Sequence, residues 1–387
     1  MKILYIASGL FPKGSAYASR LLNFARLIKD IGFELHIMID YVSDKKYLYN
    51  NNYGIYEDIS FQVIGDKISS LKSRIMNPRV CRACLKEYLD QNEVDLIILS
   101  SSSDRFNLLL QEIKERKIPI ILESCEWFHH SNWRGGKINP FYRQYENCFN
   151  NHFIKVNGVI AISKLLEEHY RKHVHNVIRI PTILDVLNTP FSLETKNEKI
   201  ILMYAGNPGK RKELISNILA ALHELGDEKE RFIFNIFGID KEQLEKQLKN
   251  KSYLIKDLEG CINIKGKVSQ DSINEEYQKS DFGIFLRPGR RSSHAGFPTK
   301  LAESMSAGTP VICNDTGDIG LYLVDNRNGF LLKDSSHNTL AKALRMISSF
   351  SREQLDLMRH CARITAEEYF DYRSYKYSME NFFNKYK

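Results

Sequence analysis

No run of apolar residues in this chain approaches the ~20 that a membrane-spanning helix requires, so an α-helical membrane protein is not the reading. The seven cysteines are odd in number and scattered from Cys81 to Cys361, which argues against a disulfide framework and for a reducing compartment. Cys81 and Cys84 form a lone C-x-x-C with no second pair, and read as two cysteines on a helix. The patterns G-x-S-x-G, H-E-x-x-H and G-x-x-x-x-G-K-[ST] are missing, and with them the support for hydrolase, metalloprotease and P-loop readings. The loop after the first apolar run holds Gly9, Pro12, Gly14 and Ser15 but is not G-x-G-x-x-G, which weakens a dinucleotide site. The opening MKILYIASGL has no small-residue cleavage site and reads as a first strand.

What is present is an ordinary globular composition. The 387 residues are 43% apolar and 26% charged, a length that suits two domains of roughly 190 residues each. Apolar runs at 2–8, 34–40, 59–64, 95–100, 118–123, 158–163 and 177–181 predict strands. Helical spacing predicts helices between them, at 15–31, about 69–90, 105–116, 140–156 and 164–172. Residues 41–58, rich in tyrosine and asparagine, read as an irregular insertion. A polar run with Pro190 marks 183–198 as the linker. The alternation then restarts, with strands at 200–205, 232–237, 262–264, 282–286, from 310, and 329–332. Helices are expected at 212–225, 241–249, 272–279, 300–307, about 336–348 and 351–386. Strands apolar throughout and separated by helices predict an α/β fold with parallel sheets covered on both faces.

Three stretches can carry chemistry. At 205–212, Ala-Gly-Asn-Pro-Gly-Lys-Arg-Lys puts three consecutive cations between a strand and a predicted helix. Cations there oppose the helix dipole and cost stability unless an anion binds, so Arg211 and Lys212 read as part of an anion site beside Gly206 and Asn207. At 280–312, a strand leads into a basic loop with Arg287, Arg290, Arg291 and His294, then Ala295, Gly296, Phe297, Pro298 and Thr299 open a helix from Lys300. Free N–H groups at a helix start beside arginines make an anion site, and Glu303 stands about one turn further in. Phosphate at the helix start and a hydroxyl-rich group by the carboxylate suit a nucleotide. At 123–136, ESCEWFHHSNWRGG joins Glu126, Trp127, His129, His130 and Trp133. Aromatics beside polar groups suit a sugar, and the alternative is packing against the linker. His129 or His130 would orient the sugar. The paired histidines show no third ligand, so no metal is expected. Gly14–Ser15 reads as an anion-tolerant helix start or as an ordinary turn.

The net charge of +8 is unevenly placed. Lys67, Lys72, Arg74, Arg79, Arg82 and Lys86 stand in a stretch, 67–86, with no acidic residue. It reads as a solvated helix face, or as a patch meeting an anionic membrane surface or acceptor. No recognised motif accompanies the charge, so nucleic acid is not expected as a partner.

The 280–312 stretch resembles the donor-site signature of the GT4 family of retaining glycosyltransferases, which have the GT-B fold. That signature is a Glu, seven residues and a second Glu, with Gly-Phe after the first and Gly-Thr-Pro-Val after the second. Gly296-Phe297, Glu303 and Gly308-Thr309-Pro310-Val311 match in register, and Ala295 stands at the first Glu. Lys212 falls on a family lysine that neutralises the donor diphosphate. Asn207 replaces the arginine, so Arg211 or Arg287 would supply the missing charge.

The resemblance implies two Rossmann-like, doubly wound parallel-sheet domains facing a central cleft. Residues 1–185 would form the acceptor side and 186–370 the nucleotide-sugar side, with a helix at about 371–387 packing back on the first domain. Gly14, Gly206, Asn207, Arg211, His294, Gly296, Phe297, Pro298, Thr299, Lys300 and Glu303 would line the donor. Lys212 and Arg287 would stabilise the departing diphosphate, with His129 and His130 near the transferred sugar. Glu126, Trp127 and Trp133 would face the acceptor. With Ala295 in place of a carboxylate, that side of the sugar pocket is expected to be roomier and less polar, suiting an N-acetylated or deoxy sugar. The implied function is metal- and cofactor-independent transfer, with retention, to a glycan, glycolipid or other hydroxyl acceptor in bacterial surface polysaccharide or glycolipid synthesis. The implied location is cytoplasmic, with 67–86 touching the inner membrane face. The alternatives are another GT-B enzyme, such as a nucleotide-sugar epimerase or an inverting transferase, and a catalytically silent nucleotide-sugar-binding partner.

Overall fold

A computed structural model describes residues 1–50, 52–64, 71–100, 103, 105–195, 197–209 and 212–387, without the side chains of 71–76, 270 and 271. The chain forms two compact units, Met1–Leu184 with Tyr372–Lys387, and Asp185–Asp371.

The first unit begins with β1 (Lys2–Ile6), β2 (Leu10–Phe11), α1 (Ala16–Asp30), β3 (Glu34–Ile39) and β4 (Tyr41–Val42). It continues through β5 (Tyr53–Tyr56), β6 (Ile59–Val63), α2 (Leu71–Gln91), β7 (Leu96–Ser100), α3 (Phe106–Glu115) and β8 (Ile120–Ser124). Then follow α4 (Pro140–Asn151), β9 (Gly158–Ala161), α5 (Lys164–Tyr170) and β10 (Asn176–Arg179). The main sheet runs β10-β9-β8-β7-β1-β3-β6-β5, parallel except for the last pair. Residues 41–58, expected to be irregular, instead hold β4 and the outer strand of a hairpin. The β5–β6 turn is made by Glu57 and Asp58, both at positive φ (49° and 58°), without the glycine that signals such a turn. Cys81 lies buried on α2, Cys84 is half-buried there, and both are free thiols.

Ser15 caps α1, its side chain accepting from the Ala18 N–H at 3.0 Å. Leu21, Phe24, Leu27 and Ile28 turn one face of α1 into the core beside Ile3, Ile37 and Ile98. Fully burying each such side chain contributes about 1.5–3 kcal/mol. Met379, Phe382 and Phe383 belong to the same core.

The second unit contains β11 (Ile200–Ala205), α6 (Ile215–Glu224), β12 (Phe232–Phe237), α7 (Lys241–Leu248), α8 (Tyr253–Asp257) and β13 (Ile262–Gly266). Next come α9 (Gln270–Lys279), β14 (Phe282–Phe285), α10 (Arg291–Ala295), α11 (Thr299–Ser306), β15 (Val311–Asn314) and β16 (Gly329–Leu332). Its sheet, β13-β12-β11-β14-β15-β16, is parallel throughout. Buried strands such as Phe282–Phe285 are apolar on both faces, as a helix-covered parallel sheet requires.

The helical region expected at 351–386 is broken. After α12 (His337–Ile347), α13 (Arg352–Tyr369) stops, a short 3-10 turn spans Tyr372–Tyr375, and α14 (Lys376–Asn384) follows. The break has a tertiary cause, since Asp371 turns its carboxylate to the Leu187 N–H at 3.0 Å. On α13, the fully buried Arg359 donates to the carbonyls of Ser192, Gln278 and Ser280. Arg363 donates to those of Val186, Thr189 and Ser306. These two guanidiniums lash the segment that precedes β11 to the ends of α9 and α11. Gly308 makes this possible. It lies at φ +74°, and a Cβ there would sit 2.6 Å from the Ser192 carbonyl oxygen.

Candidate functional site

In the second unit the chemistry gathers beyond the end of β11. Gly206 follows that strand at φ +127°, and Asn207 folds its side chain onto the Gly209 N–H at 2.8 Å. The Glu213 N–H bonds the Pro208 carbonyl, and the Leu214 N–H bonds that of Leu286 at 2.8 Å. The loop is therefore pinned to the segment after β14, where Arg287 begins. Arg287 is buried, and its backbone makes a reciprocal pair with the Asn314 side chain at 2.8 and 3.0 Å. The helix expected from 212 starts three residues later at Ile215, because Glu213 turns inward instead of entering the first turn. Lys212 is exposed just before it, while Lys210 and Arg211 lie outside the described residues.

Glu213 is the residue that sequence reasoning missed. Its carboxylate accepts from the Tyr204 hydroxyl and from the Lys300 ammonium at 2.9 Å. Burial raises this carboxyl, but the Lys300 ammonium, the Tyr204 hydroxyl and the Lys212 ammonium more than offset it, and it sits below its ordinary value. Lys300 stands in the first turn of α11, where a cation opposes the dipole, and the carboxylate offsets that cost. Its ammonium also lies 5.3 Å above the Tyr204 ring. It is 3.0 Å from where a Gly206 Cβ would stand, so glycine there makes room for it. Lys300 is thus ion-paired within the protein, which the sequence reading of a simple donor ligand did not include. The available signal was a lysine in a helix's first turn, together with an acid directly after a cation run.

Glu303 is half-buried on α11, a little over one turn beyond Pro298. The buried Tyr277 phenol is raised first by burial and then by the Glu303 and Glu213 carboxylates. Pro298 caps α11 without a side-chain hydrogen bond, and Thr299 is its first residue. His294 is exposed at the end of α10, its Nδ1 accepting from the Gly317 N–H at 3.0 Å. The structure thus brings Gly206, Lys212, Lys300, Glu213 and Glu303 to one region and ties Arg287 to it through the loop.

Two residues of the signature lie in packed surroundings. The Phe297 ring packs edge-on against Tyr322 at 5.5 Å and beside Phe370 at 5.7 Å, with Gly296 buried before it. Ala295 is fully buried, so its methyl group borders packed protein rather than a roomier pocket.

In the first unit, buried ion pairs fix the loops at the C-terminal ends of the strands. Asp40, after β3, accepts from the Gly9 N–H at 3.1 Å and from Arg105 at 2.5 Å. Glu123, on β8, accepts from Arg20 at 2.7 Å and from the Tyr17 hydroxyl at 3.0 Å. Arg20 also holds the Pro181 and Ile180 carbonyls. Gly14 is exposed just ahead of α1 at φ +103°.

The 123–136 loop is tied down by its aromatic residues. Trp127 stacks on Phe149 at 4.4 Å, and Trp133 packs against Tyr142 and Tyr145 at 5.3 and 5.6 Å. Both indoles are half-buried and pack against aromatic residues of α4. His129 and His130 are half-buried with rings 3.9 Å apart, and His129 Nδ1 is tied to the Ser131 hydroxyl at 2.9 Å. Glu126 is exposed, while its carbonyl accepts from the Tyr145 hydroxyl at 3.1 Å. Within the basic stretch, Arg82 pairs with Glu112 at 3.0 Å and Arg79 and Lys86 are exposed. Lys67 and the side chains of Lys72 and Arg74 lie outside the described residues. No helix among the described residues is long and apolar enough to cross a membrane.

Solved structures share this architecture. Sucrose-phosphate synthase from Thermosynechococcus elongatus superposes with a TM-score of 0.74 at 13% identity, over 99% of this chain and 98% of that one. HepE from Anabaena, solved in complex with UDP and glucose, superposes with a TM-score of 0.71 at 14% identity over the whole of both chains. The amylovoran biosynthesis glycosyltransferase AmsK from Erwinia amylovora is 30% identical over 120 residues, which span 30% of this chain and 28% of that protein. The fold is GT-B, and residues 185–363, within the second unit, match the sequence model of the family described as Glycosyl transferases group 1.

Proposed function

We propose that this protein is a retaining glycosyltransferase of the GT4 type that moves a hexosyl group from a nucleotide-sugar to a glycan or glycolipid hydroxyl, without a metal. The observation that carries the reading is the gathering of Gly206, Lys212, Lys300 and Glu303 inside the region that matches the group 1 family. In this reading the donor diphosphate lies at the loop after β11 and the start of α11, with Lys212 and Arg287 as counter-charges. Glu303 accepts hydrogen bonds from the ribose. The bond from the anomeric carbon to the phosphate oxygen breaks and its electron pair stays on that oxygen. The acceptor oxygen bonds to the same face, and its proton passes to the departing diphosphate. Charge-stabilising groups fixed in place before reaction lower such a barrier most effectively. His129 and His130 are assigned to the sugar and acceptor. Work in surface polysaccharide synthesis is assigned in line with the similarity to the amylovoran biosynthesis enzyme, and a place at the inner face of the membrane is assigned from the basic stretch 67–86.

The test is a thermal-shift screen against UDP-, GDP- and ADP-linked hexoses, since a ligand of the folded state raises Tm by mass action. One class of donor should raise it, and Glu303→Gln should weaken both that donor and its free nucleotide without lowering the unliganded Tm. No shift with any nucleotide or nucleotide-sugar sinks the reading. Binding without turnover on a broad acceptor panel favours a silent binding partner.

A further inference from the structure

We infer that Lys300 meets the leaving diphosphate of the donor and that Glu213 is the positioning residue that aims it, an assignment that rests on the nucleotide-sugar reading above. Asn207 is uncharged and folded onto its own loop at 2.8 Å, so the charge beside Gly206 has to come from elsewhere. The Lys300 ammonium is already there, 3.0 Å from the position of a Gly206 Cβ. An ammonium has three N–H donors. One is spent on Glu213 at 2.9 Å and the cation rests over the Tyr204 ring at 5.3 Å, which leaves donors for a phosphate oxygen.

Glu213 is built to aim this group rather than to touch a ligand. Its side chain is only 3% exposed against 16% for Lys300. Its second oxygen is taken by the Tyr204 hydroxyl, and its backbone N–H is tied to the Pro208 carbonyl at 3.1 Å. A long flexible lysine is thereby held in one place before the donor arrives. The lysine's N–H groups strengthen their hold as negative charge grows on the oxygen released by the anomeric carbon. No proton moves from Lys300 in this step.

The test uses calorimetry with UDP, GDP and ADP, and initial rates with UDP-glucose, UDP-N-acetylglucosamine, GDP-mannose and ADP-glucose, on the full chain. Lys300→Met should weaken the nucleotide that wild type binds by about tenfold to a hundredfold, the loss of one charge-assisted bond. That variant strands a buried carboxylate and can fail to fold. Lys300→Met/Glu213→Gln removes both charges, and should show the same loss of affinity at near-wild-type Tm. Glu213→Gln frees the lysine's charge while releasing its aim. Nucleotide affinity should hold or rise while kcat falls about tenfold, and Glu213→Asp should restore part of kcat. Nucleotide affinity within threefold of wild type in the double variant overturns the role of Lys300. A Glu213→Gln variant that loses affinity and kcat together overturns the positioning role. Wild type that binds none of UDP, GDP and ADP overturns the nucleotide-sugar reading itself.

Discussion

The buried pair of Arg20 and Glu123 offers a direct measurement of what holds the first unit together. The side chains are 3% and 0% exposed and meet at 2.7 Å, with Arg20 also bonded to the Pro181 and Ile180 carbonyls. Glu123→Met leaves the guanidinium buried with carbonyls but no anion, and the Tyr17 hydroxyl loses its acceptor. Breaking one side of a buried pair costs about 3–5 kcal/mol. Arg20→Met, which strands the carboxylate, should cost a similar amount. Removing both charges deletes the desolvation penalty along with the attraction, though the two carbonyls remain unsatisfied. The double variant should therefore be no worse than either single variant, a coupling of about 3 kcal/mol or more. Both tryptophans of the chain, Trp127 and Trp133, lie in this unit, so urea unfolding followed by tryptophan fluorescence reports on it selectively. With a slope of about 2 kcal/mol per molar urea, each single variant should shift the midpoint by about 2 M. Costs that add in the double variant to within about 0.5 kcal/mol would show that the two groups act independently and refute the reasoning.

Two further outcomes follow from single residues. His36 on β3 stacks on Tyr88 at 4.8 Å, bonds the Ser60 hydroxyl at 2.9 Å, and has no partner for Nε2 among the described residues. Burial lowers its pKa to about 4. The unfolded chain, with an ordinary histidine near 6.5, therefore takes up the proton first. Stability is lost as pH falls from about 6.5 to about 4, by up to about 3 kcal/mol, and His36→Phe should remove that part of the acid loss in urea titrations at pH 7 and 4.5. An unchanged pH dependence would exclude His36 as its source. Gly308→Ala should lower the calorimetric transition of the second unit, with at least about 1–2 kcal/mol from the left-handed backbone alone and a steric term against the Ser192 carbonyl in addition. An unaltered transition would mean that the 189–192 segment is not held as described.

Much of this architecture is written locally. The runs at 200–205 and 232–237 fold as strands over those same residues, because buried parallel strands must be apolar on both faces. The start of α11 was legible from Pro298 and the spacing to Glu303. Other features depend on partners far along the chain. Lys300 and Glu213 are 87 residues apart and Arg20 and Glu123 are 103 apart, distances at which no periodicity links two residues. The β5–β6 hairpin was hidden because its turn uses Glu57 and Asp58 where glycine or asparagine would have announced it. The packing of the tryptophans was hidden for a physical reason: an indole beside polar groups looks the same in sequence whether or not, like Trp127, it stacks on an aromatic such as Phe149. Gly308 shows the converse. A glycine inside a binding signature can be required by a close backbone approach rather than by a ligand.

The division of the chain also sets an order of events during synthesis. The second unit is continuous, Asp185–Asp371, and every residue of it is available before Tyr372 is made. The first unit is not continuous. Phe383 stacks edge-on against Phe33 at 5.9 Å, and Tyr386 lies on Gly158, bonding the Asn157 carbonyl at 3.0 Å. Until those aromatics emerge, the sheet built from the first 184 residues carries an uncovered apolar face. At about 5–20 residues per second the wait lasts on the order of ten to forty seconds. The half of the molecule translated first is thus the half completed last, and it is the one that a chaperone would have to shield.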